Sequence, residues 1–228
     1  NGGNHTIGNN LTLSGGRTLR NEGSLTIGRA NGDSVVTLDG SSLSGPAAKL
    51  QNQNELTIQA DAGRTTSVLG GTGAQLINSA KLTKTGAGTG TISSELVNDG
   101  QLLVSGGRLI LQGRSTHSAG SSFSGAGTLE LSAVTTSTPV EHSFADGFST
   151  DIGLLSMSLN SAARMVVDSG TVRVANFTQA TGQVKGAGQL ILGQASLAGT
   201  QTGTGTTVLS NGGNHTIGNN LTLSGGRT

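Results

Sequence analysis

Short apolar–polar alternations recur along the chain: Leu-Thr-Leu at 11–13, Leu-Thr-Ile at 25–27 and 56–58, Leu-Glu-Leu at 129–131 and Val-Arg-Val at 172–174. A period of two puts the apolar side chains on one face of an extended strand and Thr, Glu or Arg on the other. Glycines punctuate these runs, as Gly-Ala-Gly at 86–88, 125–127 and 186–188 and as Gly-Gly at 15–16, 70–71 and 106–107. Gly supplies the positive φ that tight corners require. No stretch shows the 3.6-residue periodicity of an amphipathic helix. Even residues 151–167 (DIGLLSMSLNSAARMVV) alternate at Leu155, Met157 and Leu159 and read as strand. The pattern predicts an all-β chain of short strands.

A longer spacing runs through the strands: apolar, any residue, Asn, three residues, apolar, any residue, apolar. It occurs as Leu19, Asn21, Leu25, Ile27; Leu50, Asn52, Leu56, Ile58; Leu76, Asn78, Leu82, with Lys84 in the last place; and Leu96, Asn98, Leu102, Val104. Val166, Asp168, Val172 and Val174 read as a copy with Asp in the Asn place. Leu209, Asn211, His215 and Ile217 read as another, whose counterpart opens the chain at Asn1, His5 and Ile7. A short-period coil that buries one face against the next is the physical meaning of such a repeat. The expected architecture is therefore a parallel β-helix, a β-solenoid in which coils stack at about 4.8 Å and every strand finds partners above and below. Asn1, Asn21, Asn52, Asn78, Asn98, Asp168 and Asn211 are expected to form an internal or corner ladder. A stacked carboxamide can bond its own copies and nearby backbone that would otherwise be buried without partners.

The chain also repeats on a larger scale. Residues 1–18 (NGGNHTIGNNLTLSGGRT) recur unchanged at 211–228, an offset of 210. Residues 1–210 thus read as one complete tandem unit of about nine coils, roughly 43 Å long, and residues 211–228 as the start of the next. An array gains from this because each unit buries its open end against a neighbour.

Composition narrows the options. Gly is 39 of 228 residues, Trp, Tyr and Cys are absent, and Phe occurs four times, so the core is expected to be a thin layer of Leu, Ile, Val and Ala without disulfides or Cys-based metal sites. A formal charge of +1 with interspersed signs argues against nucleic-acid binding, which needs concentrated cationic charge. No apolar run reaches the roughly 18–20 residues that cross a bilayer, and the chain opens without a secretory signal, as an internal slice of a longer polypeptide would.

The Gly-x-Gly-(Thr/Gln)-Leu-x-Leu strands at 125–131 and 186–192, Val97-Asn98-Asp99-Gly100-Gln101-Leu102 and the run from Gly203 to Leu209 resemble passenger regions of large bacterial exoproteins. That group comprises autotransporter passengers and filamentous-haemagglutinin-like adhesins of two-partner secretion. The resemblance implies a right-handed β-helix, a secreted or cell-surface location on a Gram-negative bacterium, and attachment as the role.

Candidate chemistry is sparse. His5 and His215 take a motif place filled elsewhere by Leu and read as tolerated side chains near a corner. His142 lies among Glu141, Asp146 and Asp151, the one acidic cluster with a histidine; it is weighed as a weak divalent-cation site against a solvated loop emerging from the helix. No nucleophile, zinc or phosphate-loop motif occurs, and the carboxylates are spread along the chain. Thr83 with Thr85, Thr89 with Thr91, and Thr200, Thr202, Thr204 and Thr206 raise the idea of an ice-binding lattice. The expected function is a non-enzymatic rod or stalk of a giant adhesin, without cofactor, whose partners are identical repeats end to end and possible cell surfaces or glycans. A self-assembling extracellular filament, an ice-binding solenoid and a polysaccharide-active enzyme are the alternatives.

Overall fold

A computed structural model describes residues 3–40, 45–134, 138–150, 156–160 and 162–228. Its regular elements are all strands, and every pairing between them is parallel. Each coil contributes one segment to each of three stacks. Sheet I begins with Asn4–Ile7, Ser24–Ile27, Glu55–Gln59 and Lys81–Thr85, and ends with Thr206–Leu209. Sheet II begins with Leu11–Leu13 and Ser34–Leu38, and ends with His215–Ile217. Sheet III runs from Thr18–Asn21 and Lys49–Asn52 to Thr222–Leu223. Sheets I and II merge where Thr171–Gln179 and Gln189–Leu197 each run without a break from one into the other. The chain is a parallel β-helix of ten coils.

Coil length varies widely. The coil that carries Ile191 round to its register partner Val208 is short, and the one that carries Val36 round to Val68 is almost twice as long. Insertions are absorbed at corners while the strands stay aligned. Alignment holds because the inward columns match. Leu25, Leu56, Leu82 and Leu102 stack in sheet I, then Phe123. Leu50, Leu76 and Leu96 stack in sheet III. A one-residue slip would turn each of these outward, which makes the register costly to violate. These columns form one continuous buried cluster along the axis.

One inward column of sheet I admits a charged residue. Lys84 sits between Ile58 and Val104 and is fully buried. Gly90, facing inward on sheet II, makes room: a Cβ there would lie 2.9 Å from the Lys84 Cδ. The ammonium turns back to the corner and donates to the carbonyls of Thr85 (2.7 Å), Gly86 (2.8 Å) and Gly106 (3.3 Å). Burial lowers its pKa to about 8, with the charge of Asp61 opposing part of that shift.

Within the irregular middle of the chain, Val140–Phe144, Ser149–Thr150 and Ser156–Leu159 are strand rather than emergent loop. Val140–Phe144 joins sheet III and Ser149–Thr150 joins sheet I. Phe144 and Phe148 pack there with Phe123, at centroid separations of 4.7 to 6.2 Å. Three of the four phenylalanines thus thicken the core at one level rather than being spread along it.

Close coil stacking gives a direct test. A Cβ at Gly100 would fall 1.9 Å from the Ala80 carbonyl oxygen in the coil below. Gly100→Ala is expected to cost about 2 kcal/mol or more in urea denaturation, because backbone must move. Gly120→Ala, with open space around it, is expected to stay within about 0.5 kcal/mol of wild type.

Candidate functional site

The interior of sheet III is where polar chemistry collects. Asn21, Asn52, Asn78 and Asn98 lie in register in successive coils and are buried. The Nδ2 of Asn21 donates to Asn52 Oδ1 at 2.8 Å, Asn52 to Asn78 at 2.7 Å, and Asn78 to Asn98 at 2.7 Å. The same amides donate to the carbonyls that open the next strand of sheet I: Asn21 to Glu55, Asn52 to Lys81 and Asn78 to Gln101. A primary amide carries donor and acceptor on one short side chain, so identical copies satisfy each other and pin the corner.

The other three expected ladder members are not part of this column. Asp168 is exposed. Ser143 pairs with Val166, so Phe144 faces the buried Val167, and Asp168 falls one residue beyond, at the corner position that follows the strand. The physical reason is register: the strand enters one residue out of phase with the motif, so Val167 takes the inward place and Asp168 is left at the corner. Asn211 is also exposed, because Leu209 lies in sheet I and the residues after it form a corner between sheets I and II. Asn1 lies outside the described residues.

Beyond Asn98 the column continues with different residues. His117 takes the next position and Phe144 the one after. The apolar-x-Asn motif has become Ser115-x-His117, then His142-x-Phe144, then Met165-x-Val167. The signal in the sequence is the coil-length spacing from Asn98 to His117, and it is obscured because both motif places there hold polar residues.

Ser115, His117 and His142 are buried and bonded. His142 Nε2 lies 3.1 Å from the Ser132 carbonyl oxygen, which can only accept, so Nε2 carries the proton. His142 Nδ1 then accepts from Ser115 Oγ at 2.8 Å, and Ser115 Oγ accepts from His117 Nε2 at 2.9 Å. The chain of donors runs from His117 through Ser115 and His142 to a backbone carbonyl, and leaves His117 Nδ1 without a partner. His117 also packs on Phe123 and Phe144, each with centroids 4.7 Å away. Burial lowers the pKa of His117 to about 3, helped by His142, and that of His142 to about 4, opposed by its bond to Ser132. Both rings are neutral at physiological pH. Enclosed in this way, Ser115 cannot reach a substrate.

The pleat separates the proposed cation ligands. On strand Val140–Phe144, His142 faces the core, whereas Glu141 faces outward and pairs with Lys185 at 2.5 Å and Arg164 at 4.0 Å. The Lys185 hydrogen bond, with both cations, holds the Glu141 carboxyl below its usual range. Asp146 Oδ1 accepts the Thr171 N–H. Asp151 lies outside the described residues. Among the described residues no group of three or more His, Asp or Glu could hold a metal ion.

The threonine pairs lie on different faces. Thr83 and Thr85 belong to sheet I, Thr89 and Thr91 to sheet II, Thr200 to sheet III and Thr206 to sheet I, with Thr202 and Thr204 between strands. His5 is exposed in sheet I opposite Leu25. His215 is half-buried in sheet II opposite Ala195, its Nε2 3.0 Å from the Ser210 carbonyl oxygen. A shallow depression of about 560 Å³ on sheet I is lined by Gln101, Arg173, Phe123 and the hydroxyls of Ser122, Ser124, Ser149 and Thr150, with no carboxylate among these lining residues. Comparison of the chain with family models, curated proteins and solved structures gives no match.

Two outcomes are expected from this interior. Asn78→Leu strands the donor of Asn52, the acceptor of Asn98 and the Gln101 carbonyl, and is expected to cost about 2–4 kcal/mol in urea denaturation; a loss under about 0.5 kcal/mol would refute the ladder's role. Acid is expected to weaken the fold. The unfolded chain protonates both histidines near 6.5, while the folded state resists down to about 4 and about 3, so their contribution is complete above pH 6.5 and falls as pH drops below it. From pH 7.5 to pH 5 the loss is about 4 kcal/mol. A Ser115→Ala/His117→Phe/His142→Met variant should lose that component of the slope, and an unchanged acid profile would exclude the assignment.

Proposed function

We propose that the chain is a non-enzymatic structural module, one tandem unit (residues 1–210) of a β-solenoid rod with the opening of the next unit attached, belonging to a giant secreted or surface-anchored bacterial adhesin. One observation carries this reading. Residues 1–18 recur unchanged at 211–228, and the second copy stacks as further parallel strands on the coils that precede it. Length then grows linearly with copy number, and each added unit covers the open end of the last.

Further features favour a shaft over a catalyst. The buried polar groups of sheet III are engaged with one another and with backbone. Charged side chains pair across coils on the outside, as Glu55 with Lys81 and Glu130 with Arg108, which fits side chains that tie coils together. The balanced charge suits a rod that neither grips nucleic acid nor inserts into a membrane. In this reading the direct partners are identical repeats, and contact with cells or surface glycans takes place at a distant tip or through many weak contacts along the shaft. The expected location is extracellular, on a Gram-negative cell.

Chains of one, two and three units should give particles of constant cross-section in small-angle scattering, lengthening by roughly 45 Å per unit at about 4.8 Å per coil. Compact particles that thicken instead of lengthening would exclude the rod. For the adhesive role, beads coated with the three-unit chain should attach to cells where uncoated beads do not; equal attachment would remove it.

A further inference from the structure

We infer that successive units are docked with a rotation of one third of a turn, so that each repeat presents its faces turned by that third relative to its neighbour. The inference rests on the tandem rod and specifies how one copy seats on the next.

The two copies of the repeated segment occupy different sheets. In the first, His5 to Ile7 pair with Leu25 to Ile27 in sheet I, Leu11 to Leu13 pair with Val36 to Leu38 in sheet II, and Thr18 pairs with Lys49 in sheet III. In the second, His215 to Ile217 pair with Ala195 to Leu197 in sheet II, and Thr222 and Leu223 pair with Thr200 and Gln201 in sheet III. The last residue completes the shift. Thr207 N–H donates to the Thr228 carbonyl at 2.7 Å and Thr228 N–H to the Gly205 carbonyl at 3.3 Å, the parallel pattern that sets Thr228, the copy of Thr18, beside Thr206 in sheet I. All three parts of the segment have moved on by one sheet. The final turn is anchored there: Arg227 Nε donates to Thr207 Oγ1 at 3.1 Å and its Nη1 to the Gly186 carbonyl at 3.2 Å. The unit therefore spans nine coils and a third rather than nine.

The shift preserves which side chains face inward. Ile217 and Leu223 hold inward positions, opposite Leu197 and Gln201, yet are 59% and 49% exposed because no coil lies above them. In the first copy the corresponding residues are half-buried, Ile7 against Ile27 and Leu13 against Leu38. A second unit continuing from Thr228 places its own Ile27 over Ile217, its own Leu38 over Leu223, and its own Leu19 to Asn21 over Thr207 to Leu209. Every contact within the second unit is then the same as in the first, and only its orientation about the axis differs. Its asparagine ladder begins over Leu209 in sheet I instead of continuing sheet III. Three units complete one revolution, and a given patch of the surface is displayed in three directions along the shaft.

A two-unit chain tests the docking. Val208 faces outward on sheet I, in register with Ile191, and the rotated junction puts it beside the second-copy Arg20. Register partners on adjacent parallel strands have Cα atoms roughly 4.8 Å apart, within disulfide reach. With Cys at Val208 of the first copy and at Arg20 of the second, oxidation is expected to link them to the same extent as the control pair Arg20→Cys and Gln51→Cys, which are register partners within one unit. A two-unit rod of full length in which the control closes but the junction pair does not would overturn the rotation and leave the rod standing. A two-unit particle that is not a single rod would overturn the tandem reading and the rotation with it.

Discussion

Backbone hydrogen bonding between stacked coils is the interaction on which the rest of this molecule depends. Strands inside the stack are flanked by parallel neighbours one coil away, so their N–H and C=O groups are satisfied by the chain above and below rather than by their own sequence neighbours. That arrangement fixes a coil spacing and leaves coil length free, which is why the short coil ending at Val208 and the long one ending at Val68 coexist in one stack. It also forces each inward side chain to live with copies of its own position. Leu on Leu is the simplest answer, and most of the core uses it or a close relative.

Polar residues enter that interior only by devices that leave few groups unpaired. The asparagine ladder is self-complementary, each amide serving as donor to the next coil and to the corner carbonyl. The His117–Ser115–His142 chain achieves the same end with unlike residues by fixing the tautomers in sequence, with His117 Nδ1 left over. Lys84 uses a third device, a crown of corner carbonyls around an ammonium whose stem fills the space left by Gly90. The three differ in their response to conditions. An amide ladder has no protonation equilibrium, whereas the histidine chain is stable only while its rings are neutral, so the acid sensitivity of these two devices lies in the middle coils.

The three sheets share one inward–outward alternation, and this explains why a single repeated segment fits more than one of them. Nothing local in NGGNHTIGNNLTLSGGRT selects sheet I over sheet II; both offer an inward column at the same spacing. Its azimuth is set by the summed lengths of all the coils before it. A rod built from such units gains length from its stacking and angular spread from the fractional coil, without any change in sequence between copies.

The sequence by itself determined the strand content, the parallel stacking and the first four rungs of the asparagine ladder, because period-two alternation and a repeated apolar-x-Asn spacing are local consequences of one-sided burial. It did not determine what happens after Asn98. Asp168 looks like a ladder residue in a spacing count, but its strand enters one residue out of that phase, and the column there is held by Val167. His142 sits beside Glu141 in the chain, yet the pleat sends one to the core and the other to Lys185. Nor could local pattern reveal that one tandem unit makes nine coils and a third. Register and azimuth are properties of the whole stack, decided by how corner insertions of unequal length add up, and only the tertiary structure contains that sum.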